Sequence, residues 1–152
     1  MIQEGKKAPS FTLKDSNNQK YSLKDFQGKK VILYFYPKDD TTGCTKEALG
    51  FKEHKKEIND KGAIIIGVSP DSPESHQKFI EKYNLPFLLL SDPEKIVLNP
   101  YNAWGEKSMY GRKYMGVMRS TVIIDENGII IKHFPKVSAS KHLKEVLKFL
   151  NQ

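Results

Sequence analysis

Cys44 is the single cysteine of this 152-residue chain, and the residue types around it suit a reactive thiol. Val31–Tyr36 is an apolar run of β-branched and aromatic side chains, the pattern of a buried strand. Pro37 to Gly43 is rich in turn formers, and Cys44 opens a segment of helical character. A thiol at a helix N-terminus meets free backbone N–H groups and the positive end of the helix dipole, both of which favour the nucleophilic thiolate. The competing reading is a core cysteine acting as a small hydrophobe. Thr41, Thr42, Gly43 and Thr45 are small or hydroxylic and no apolar residue flanks Cys44 closely, so the sequence favours chemistry over packing.

The elements that must hold this thiol can be read along the chain. Phe11–Lys14 and Gln19–Leu23 flank Asp15-Ser-Asn-Asn as a hairpin. After the strand at Val31–Tyr36, one helix is expected from Thr42 to Asp60, ended by Lys61-Gly62. Ala63–Val68 is a second buried strand. Ser72-Pro73-Glu74 has the hydroxyl cap, first-turn proline and acid of a helix start, and this helix stops before Pro86. Phe87–Leu90 is a third buried run, and Asp92-Pro93-Glu94 resembles another, short helix start. Thr121–Ile124 and Ile129–Phe134 flank Asp125-Glu-Asn-Gly128 as a second hairpin. A final helix from Ser138 or Ser140 to Leu150 carries Leu143, Leu147 and Leu150 on one face. Continuous apolar strands alternating with helices imply a sheet covered on both faces. The order predicts an α/β, thioredoxin-like fold: a central mixed β-sheet flanked by helices, with an N-terminal β-hairpin, in one domain over residues 1–152.

Composition narrows the function classes. With 38% hydrophobic residues, eight Phe, seven Tyr and one Trp, the chain can build a real core. No stretch is long and apolar enough to cross a bilayer, and the N-terminus has no apolar signal-like region. One unpaired thiol suits a reducing compartment, so a cytoplasmic location is expected. The net charge of +7 raises nucleic-acid binding, but Lys and Glu are interleaved as on a solvated helix face and no nucleic-acid motif accompanies them. Gly-rich phosphate motifs are absent. His54, His76, His133 and His142 are scattered and form no histidine–carboxylate cluster at metal spacing, so surface positions are expected for at least three of them. No metal and no cofactor are expected.

Pro37, Thr41 and Cys44 together spell P-x-x-x-T-x-x-C, which resembles the active-site motif of peroxiredoxins. The runs Tyr34–Thr41, Gly43–Ala48, Gly67–Asp71, Trp104–Lys107, Met109–Gly111 and Arg119–Asp125 extend the resemblance to the bacterioferritin comigratory protein, or PrxQ-like, subgroup, from about residue 4 to the C-terminus. The resemblance implies a thiol peroxidase acting on hydrogen peroxide and organic hydroperoxides. Cys44 would be the peroxidatic nucleophile that becomes a sulfenic acid. Arg119 would stabilise the thiolate and orient peroxide. Thr41 would offer its hydroxyl to substrate and sulfur, Pro37 would shield the sulfur, and the N–H groups of Gly43 and Cys44 would complete the donors. Each residue alone also has an ordinary reading: a surface arginine, a loop threonine, a strand-ending proline. Glu47, one helical turn after Cys44, either pairs with Arg119 or only compensates the helix dipole. Trp104 either lines the pocket mouth or packs in the core.

Two departures from the subgroup stand out. Leu49 occupies a position where many members carry a resolving cysteine, and no cysteine lies around Phe79 to Tyr83, where others place it. An internal disulfide is impossible, so the sulfenic acid must be reduced in a 1-Cys manner by an external thiol (thioredoxin, glutaredoxin with glutathione, or another small thiol) or by another chain's Cys44 in a mixed disulfide. Position 42, often proline in the subgroup, is Thr42, which is expected to serve as a helix cap. A monomer is expected. Two rival functions remain: a thiol–disulfide oxidoreductase, disfavoured because Thr41-Thr-Gly-Cys44 is not C-x-x-C, and a peroxide sensor or redox-switched binding protein using Cys44.

Overall fold

The structure is a computed structural model that describes residues 2–152. Nine strands and four α-helices are formed among the described residues. A seven-stranded mixed sheet runs in the order β2 (Lys20–Ser22), β1 (Thr12–Lys14), β5 (Leu88–Ser91), β4 (Ala63–Ser69), β3 (Lys30–Phe35), β8 (Ser120–Ile124), β9 (Ile130–Phe134). Its parallel centre is β3 (Lys30–Phe35), β4 (Ala63–Ser69) and β5 (Leu88–Ser91). The hairpin β1 (Thr12–Lys14) and β2 (Lys20–Ser22) joins antiparallel at one edge. The hairpin β8 (Ser120–Ile124) and β9 (Ile130–Phe134) joins antiparallel at the other.

Side chains alternate across a strand, so β3 feeds two cores. Val31, Leu33 and Phe35 pack on one face with Ile66, Leu98 and Tyr101. Ile32, Tyr34 and Tyr36 pack on the other with Phe51, Ile58, Phe79 and Val146, beneath the helices that carry these four residues. Cys44 belongs to this second cluster.

Two sequence expectations need correction, and one unassigned stretch gains structure. The helix expected over 42–60 is two: α1 (Thr42–Glu53) and α2 (Lys55–Asp60), broken at His54 (φ −104°, ψ 13°). Phe51 and Ile58 are the buried anchors on either side, and no residue between them is buried, so nothing in the core enforces one continuous axis. At Asp92 the expected short helix is a series of turns. The Asp92 carboxylate accepts the N–H groups of Ile96, Val97 and Leu98 at 2.8–2.9 Å, taking the place of helical carbonyls. Finally, residues 104–117, unassigned from sequence, form an antiparallel pair, β6 (Trp104–Met109) and β7 (Arg112–Val117), separate from the main sheet. Helix α3 (Pro73–Tyr83) forms where expected, and α4 (His142–Leu150) ends as expected but starts after Ser138 and Ser140, at His142. Ser72 caps α3, its Oγ accepting the Ser75 N–H at 3.2 Å.

Candidate active site

Cys44 sits in the first turn of α1, where the chain leaves the C-terminal end of β3 through the loop 36–41. Thr41 is the N-cap and Thr42 the first helical residue, so Thr42 does not cap the helix as the sequence suggested. The first intrahelical bond runs from Thr45 N–H to Thr41 C=O (2.8 Å), which leaves the N–H groups of Thr42, Gly43 and Cys44 without partners inside the helix. Cys44 itself is only 1% exposed, contrary to the expectation that it escapes core burial. Its neighbours in sequence are polar, but the helix turns it onto the cluster of Tyr34, Ala48 and Phe51.

The sulfur keeps one strong polar neighbour from the far end of the chain. Arg119, between β7 and β8, donates from Nη2 to Cys44 Sγ at 3.3 Å and from Nη1 to Glu47 Oε1 at 2.6 Å. Burial works against the guanidinium's charge, but the Glu47 carboxylate and the Cys44 sulfur outweigh it and hold the Arg119 pKa above its usual value. Gly43 makes room for this approach. A Cβ at Gly43 would stand 3.3 Å from Arg119 Nη2, tighter than most real contacts.

Glu47 has a second donor. His142, in the first turn of α4, reaches Glu47 Oε2 from Nδ1 at 2.5 Å, and its Nε2 bonds the Thr121 hydroxyl on β8. A continuous chain of contacts thus runs from the thiol through guanidinium, carboxylate and imidazole to a hydroxyl, and His142 and Thr121 are fully buried. Tyr34 packs edge-on against His142 (6.4 Å between ring centres). Burial, then Glu47 and Cys44, push its phenol pKa well up, so it stays neutral.

A second buried polar cluster holds the loop before Cys44. Asp39 accepts from Tyr36 OH (2.5 Å) and Ser75 Oγ (2.8 Å) and bonds His76 Nδ1 (2.7 Å). Its backbone N–H donates to Asp71 Oδ2 at 2.8 Å. Asp39, Asp71 and His76 lie within 4.8 Å of one another, so a histidine–carboxylate cluster does exist, assembled by the fold rather than by sequence spacing. Both His76 nitrogens are already engaged, Nε2 by the Leu90 carbonyl (3.0 Å), which leaves the ring no free atom for a metal. The expectation of mostly surface histidines is overturned: His76 and His142 are fully buried and His133 is half-buried.

The other anticipated residues are placed as follows. Thr41 is exposed, and its hydroxyl donates to the Lys38 carbonyl at 2.8 Å rather than to the sulfur. Pro37 is half-buried just past β3. Trp104 is half-buried in β6, packs against the core on the opposite sheet face from Cys44, and has the Lys95 amine 4.9 Å from its ring centre. An apolar hollow of about 230 Å³ lined by Phe26, Val31 and Ile124 lies at the other end of β3 and contributes nothing to the sulfur.

Sequence reading missed His142 and Thr121. A signal existed: His142 stands one turn before Val146 on the packed face of α4, and Thr121 alternates with Ile123 on the inward face of β8.

The chain is similar to known proteins along nearly its whole length. The sequence profile of the AhpC/TSA family matches residues 4–133. A putative peroxiredoxin bcp of Coxiella burnetii is 49% identical over 146 residues, covering 96% of this chain and 97% of the relative. Peroxiredoxin Bcp of Bacillus subtilis is 46% identical over 149 residues, covering 98% and 95%. Among solved structures, a cysteine-to-serine mutant of Xylella fastidiosa PrxQ superposes with a TM-score of 0.93 at 31% identity, covering 99% of this chain and 96% of that one. The Xanthomonas campestris bacterioferritin comigratory protein, studied for alkyl peroxide reduction, superposes at 0.87 with 35% identity, covering 93% and 90%.

Proposed function

Because the chain belongs to the AhpC/TSA family, as a Bcp/PrxQ-like peroxiredoxin, we propose that its Cys44 thiolate reduces hydrogen peroxide and organic hydroperoxides without a resolving cysteine. The chain is a thiol peroxidase. The sulfur attacks one peroxide oxygen. An S–O bond forms as the O–O bond breaks, the sulfur is oxidised by two electrons to a sulfenic acid, and the leaving oxygen takes up a proton as water or an alcohol. Negative charge moves from sulfur to the leaving oxygen during the step. Donors already aimed at that space cost no reorganisation when the charge arrives.

The observation that carries this reading is the forked contact of Arg119 with Cys44 Sγ at 3.3 Å and Glu47 Oε1 at 2.6 Å. One nitrogen faces the nucleophile while the other is tied down, so the guanidinium plane has a fixed direction for a peroxide to align on. The unpaired N–H groups of Gly43 and Cys44 add donors in the same turn. Pro37 narrows access to the sulfur. Thr41 takes its substrate-binding part once its hydroxyl turns from the Lys38 carbonyl to the incoming oxygen.

With one cysteine in the chain, the sulfenic acid condenses with an external thiol, releasing water and forming a mixed disulfide. A second thiol then releases Cys44. Thioredoxin, or glutaredoxin with glutathione, fills that role in a monomeric cytoplasmic enzyme. The unpaired thiol, which suits a reducing compartment, supports that location.

The test is stopped-flow oxidation of the reduced protein by peroxide, beside Cys44→Ser, with thioredoxin, glutaredoxin plus glutathione, and dithiothreitol compared for turnover. Fast Cys44-dependent oxidation with sustained turnover is expected. Oxidation no faster than that of a free thiol, or one equivalent consumed into a stable oxidised state, refutes the enzyme in favour of a sensor.

A further inference from the structure

We infer that His142 is a positioning residue for peroxide reduction, acting through Glu47 on Arg119; this rests on the reading of Cys44 as the peroxidatic thiol. A carboxylate turns readily about its last torsion, because that sp³–sp² rotation has broad, shallow wells. Held only by Arg119 Nη1, the Glu47 carboxylate would be free to rock and carry the guanidinium with it. His142 removes that freedom by occupying the second oxygen at 2.5 Å, so each oxygen of the carboxylate has its own donor.

The imidazole is itself fixed from every side. Thr121 binds Nε2, Phe51 meets the ring edge-on (5.5 Å, 89°) and Tyr34 does so from the strand below. The backbone repeats the link. Val137 N–H donates to the Arg119 carbonyl at 3.0 Å, and His142 N–H donates to the Ser138 carbonyl at 3.0 Å, so the segment leading into α4 is latched to the same arginine. The C-terminal helix therefore sets the aim of a group that touches the reacting sulfur. His142 touches neither sulfur nor substrate space itself.

Asparagine places an amide N–H where His142 carries Nδ1, whereas leucine fills the space and donates nothing. The experiment compares wild type, Cys44→Ser, His142→Leu and His142→Asn. Two rates are read: oxidation by hydrogen peroxide, which needs an aligned guanidinium, and alkylation by iodoacetamide, which needs only an available thiolate. For His142→Leu, peroxide oxidation is expected to slow about ten- to a hundredfold, the scale of a misplaced catalytic group, with alkylation unchanged. His142→Asn is expected to recover most of the loss. Merely loosening α4 would uncover the buried thiol and raise alkylation, and asparagine would not restore the peroxide rate. A wild-type peroxide rate in His142→Leu, an equal loss in both reactions, or no recovery in His142→Asn overturns the inference. If His142→Leu does not fold, Thr121→Val carries the test, since it frees the imidazole at nearly constant volume. A severalfold loss confined to the peroxide reaction is expected, and no loss overturns the inference. Absence of Cys44-dependent peroxide reduction in the wild type overturns the peroxidatic reading itself, and is recognised by its presence before any change at His142.

Discussion

Arg119 and Cys44 are 75 positions apart in the chain, yet Nη2 of one stands 3.3 Å from Sγ of the other. The contact closes between the first turn of α1 and the short link joining the separate β6–β7 pair to β8. β3 and β8 pair with Phe35 opposite Ser120 and Tyr34 opposite Thr121, which brings the end of one strand and the start of the other to the same edge. The site is a consequence of that register.

Arg119→Ala is expected to slow peroxide oxidation of Cys44 by about 10²–10³, the usual loss for one preorganised donor at a site of developing charge. Arg119→Lys keeps a charge but not the two-pronged fork, so it should recover only part of the rate. Stopped-flow kinetics on both variants decides this. A wild-type rate in Arg119→Ala would remove the arginine from the mechanism.

Leu49 is 38% exposed while Cys44 is 1% exposed, and the two point roughly 140° apart around α1 at 3.6 residues per turn. They are separated by about 7.5 Å along the axis at 1.5 Å per residue, beyond disulfide geometry in an intact helix. In Leu49→Cys, peroxide is expected to produce an internal disulfide only with loss of helical circular dichroism, as the first turns of α1 unwind. Mass spectrometry and the dichroism signal read the two events together. A disulfide formed with full helicity would contradict this geometry.

Asp39→Ala leaves the buried His76 and Tyr36 and the half-buried Ser75 without their shared acceptor. Leaving a buried hydrogen-bonding group without its partner costs about 1–3 kcal/mol, to be checked by urea denaturation. Because Asp39 lies in the loop before Cys44, the peroxide rate of the folded fraction should fall too. Unchanged stability would show the cluster to be energetically idle.

Gly67→Ala places a methyl 2.7 Å from Leu89 Cδ2 and 2.9 Å from Tyr34 Cζ, both fully buried. Overpacking of this kind costs about 1–3 kcal/mol, and the strain falls on the ring that packs in one cluster with Cys44 and edge-on against His142. A thermal melt is expected to show the loss. A melting midpoint equal to the wild type's would mean that the strands shift apart freely.

Burial holds the half-buried His133 imidazole below its usual pKa, with the Glu4 carboxylate partly opposing. The native state therefore binds fewer protons than the unfolded chain between the lowered value and the ordinary one of about 6.5. Stability rises with pH across that window: the contribution of His133 is fully present above the unfolded value and is lost as pH falls through the folded one. His133→Gln should flatten this part of the profile. Urea midpoints at pH 8 and pH 5 for both proteins measure it, and equal slopes would assign the acid sensitivity to other groups.

Much of this molecule was legible in the chain, because local rules act on local residues. The apolar runs at Val31, Ala63 and Phe87, the Asp125–Gly128 turn and the Ser72-Pro73-Glu74 helix start each carry their signal within a few positions, and all formed. The thiol at the start of a helix formed as well, and Arg119, which only the family resemblance singled out, lies against its sulfur. Where signals were weak or competing, the reading failed. A charged stretch with no core anchor broke at His54, and one aspartate drew three backbone N–H groups away from a helix. The burial of Cys44 was hidden by its polar neighbours, since a helix decides burial by the face a residue occupies and not by what precedes it. The histidines show the limit most clearly. Sequence determined that Cys44, Glu47, Arg119, Thr121 and His142 are present and which elements carry or adjoin them. Only the tertiary structure decided that they form one line of contacts, because that depends on the register of β3 with β8 and on where α4 lies across α1, both set by the packing of the whole core.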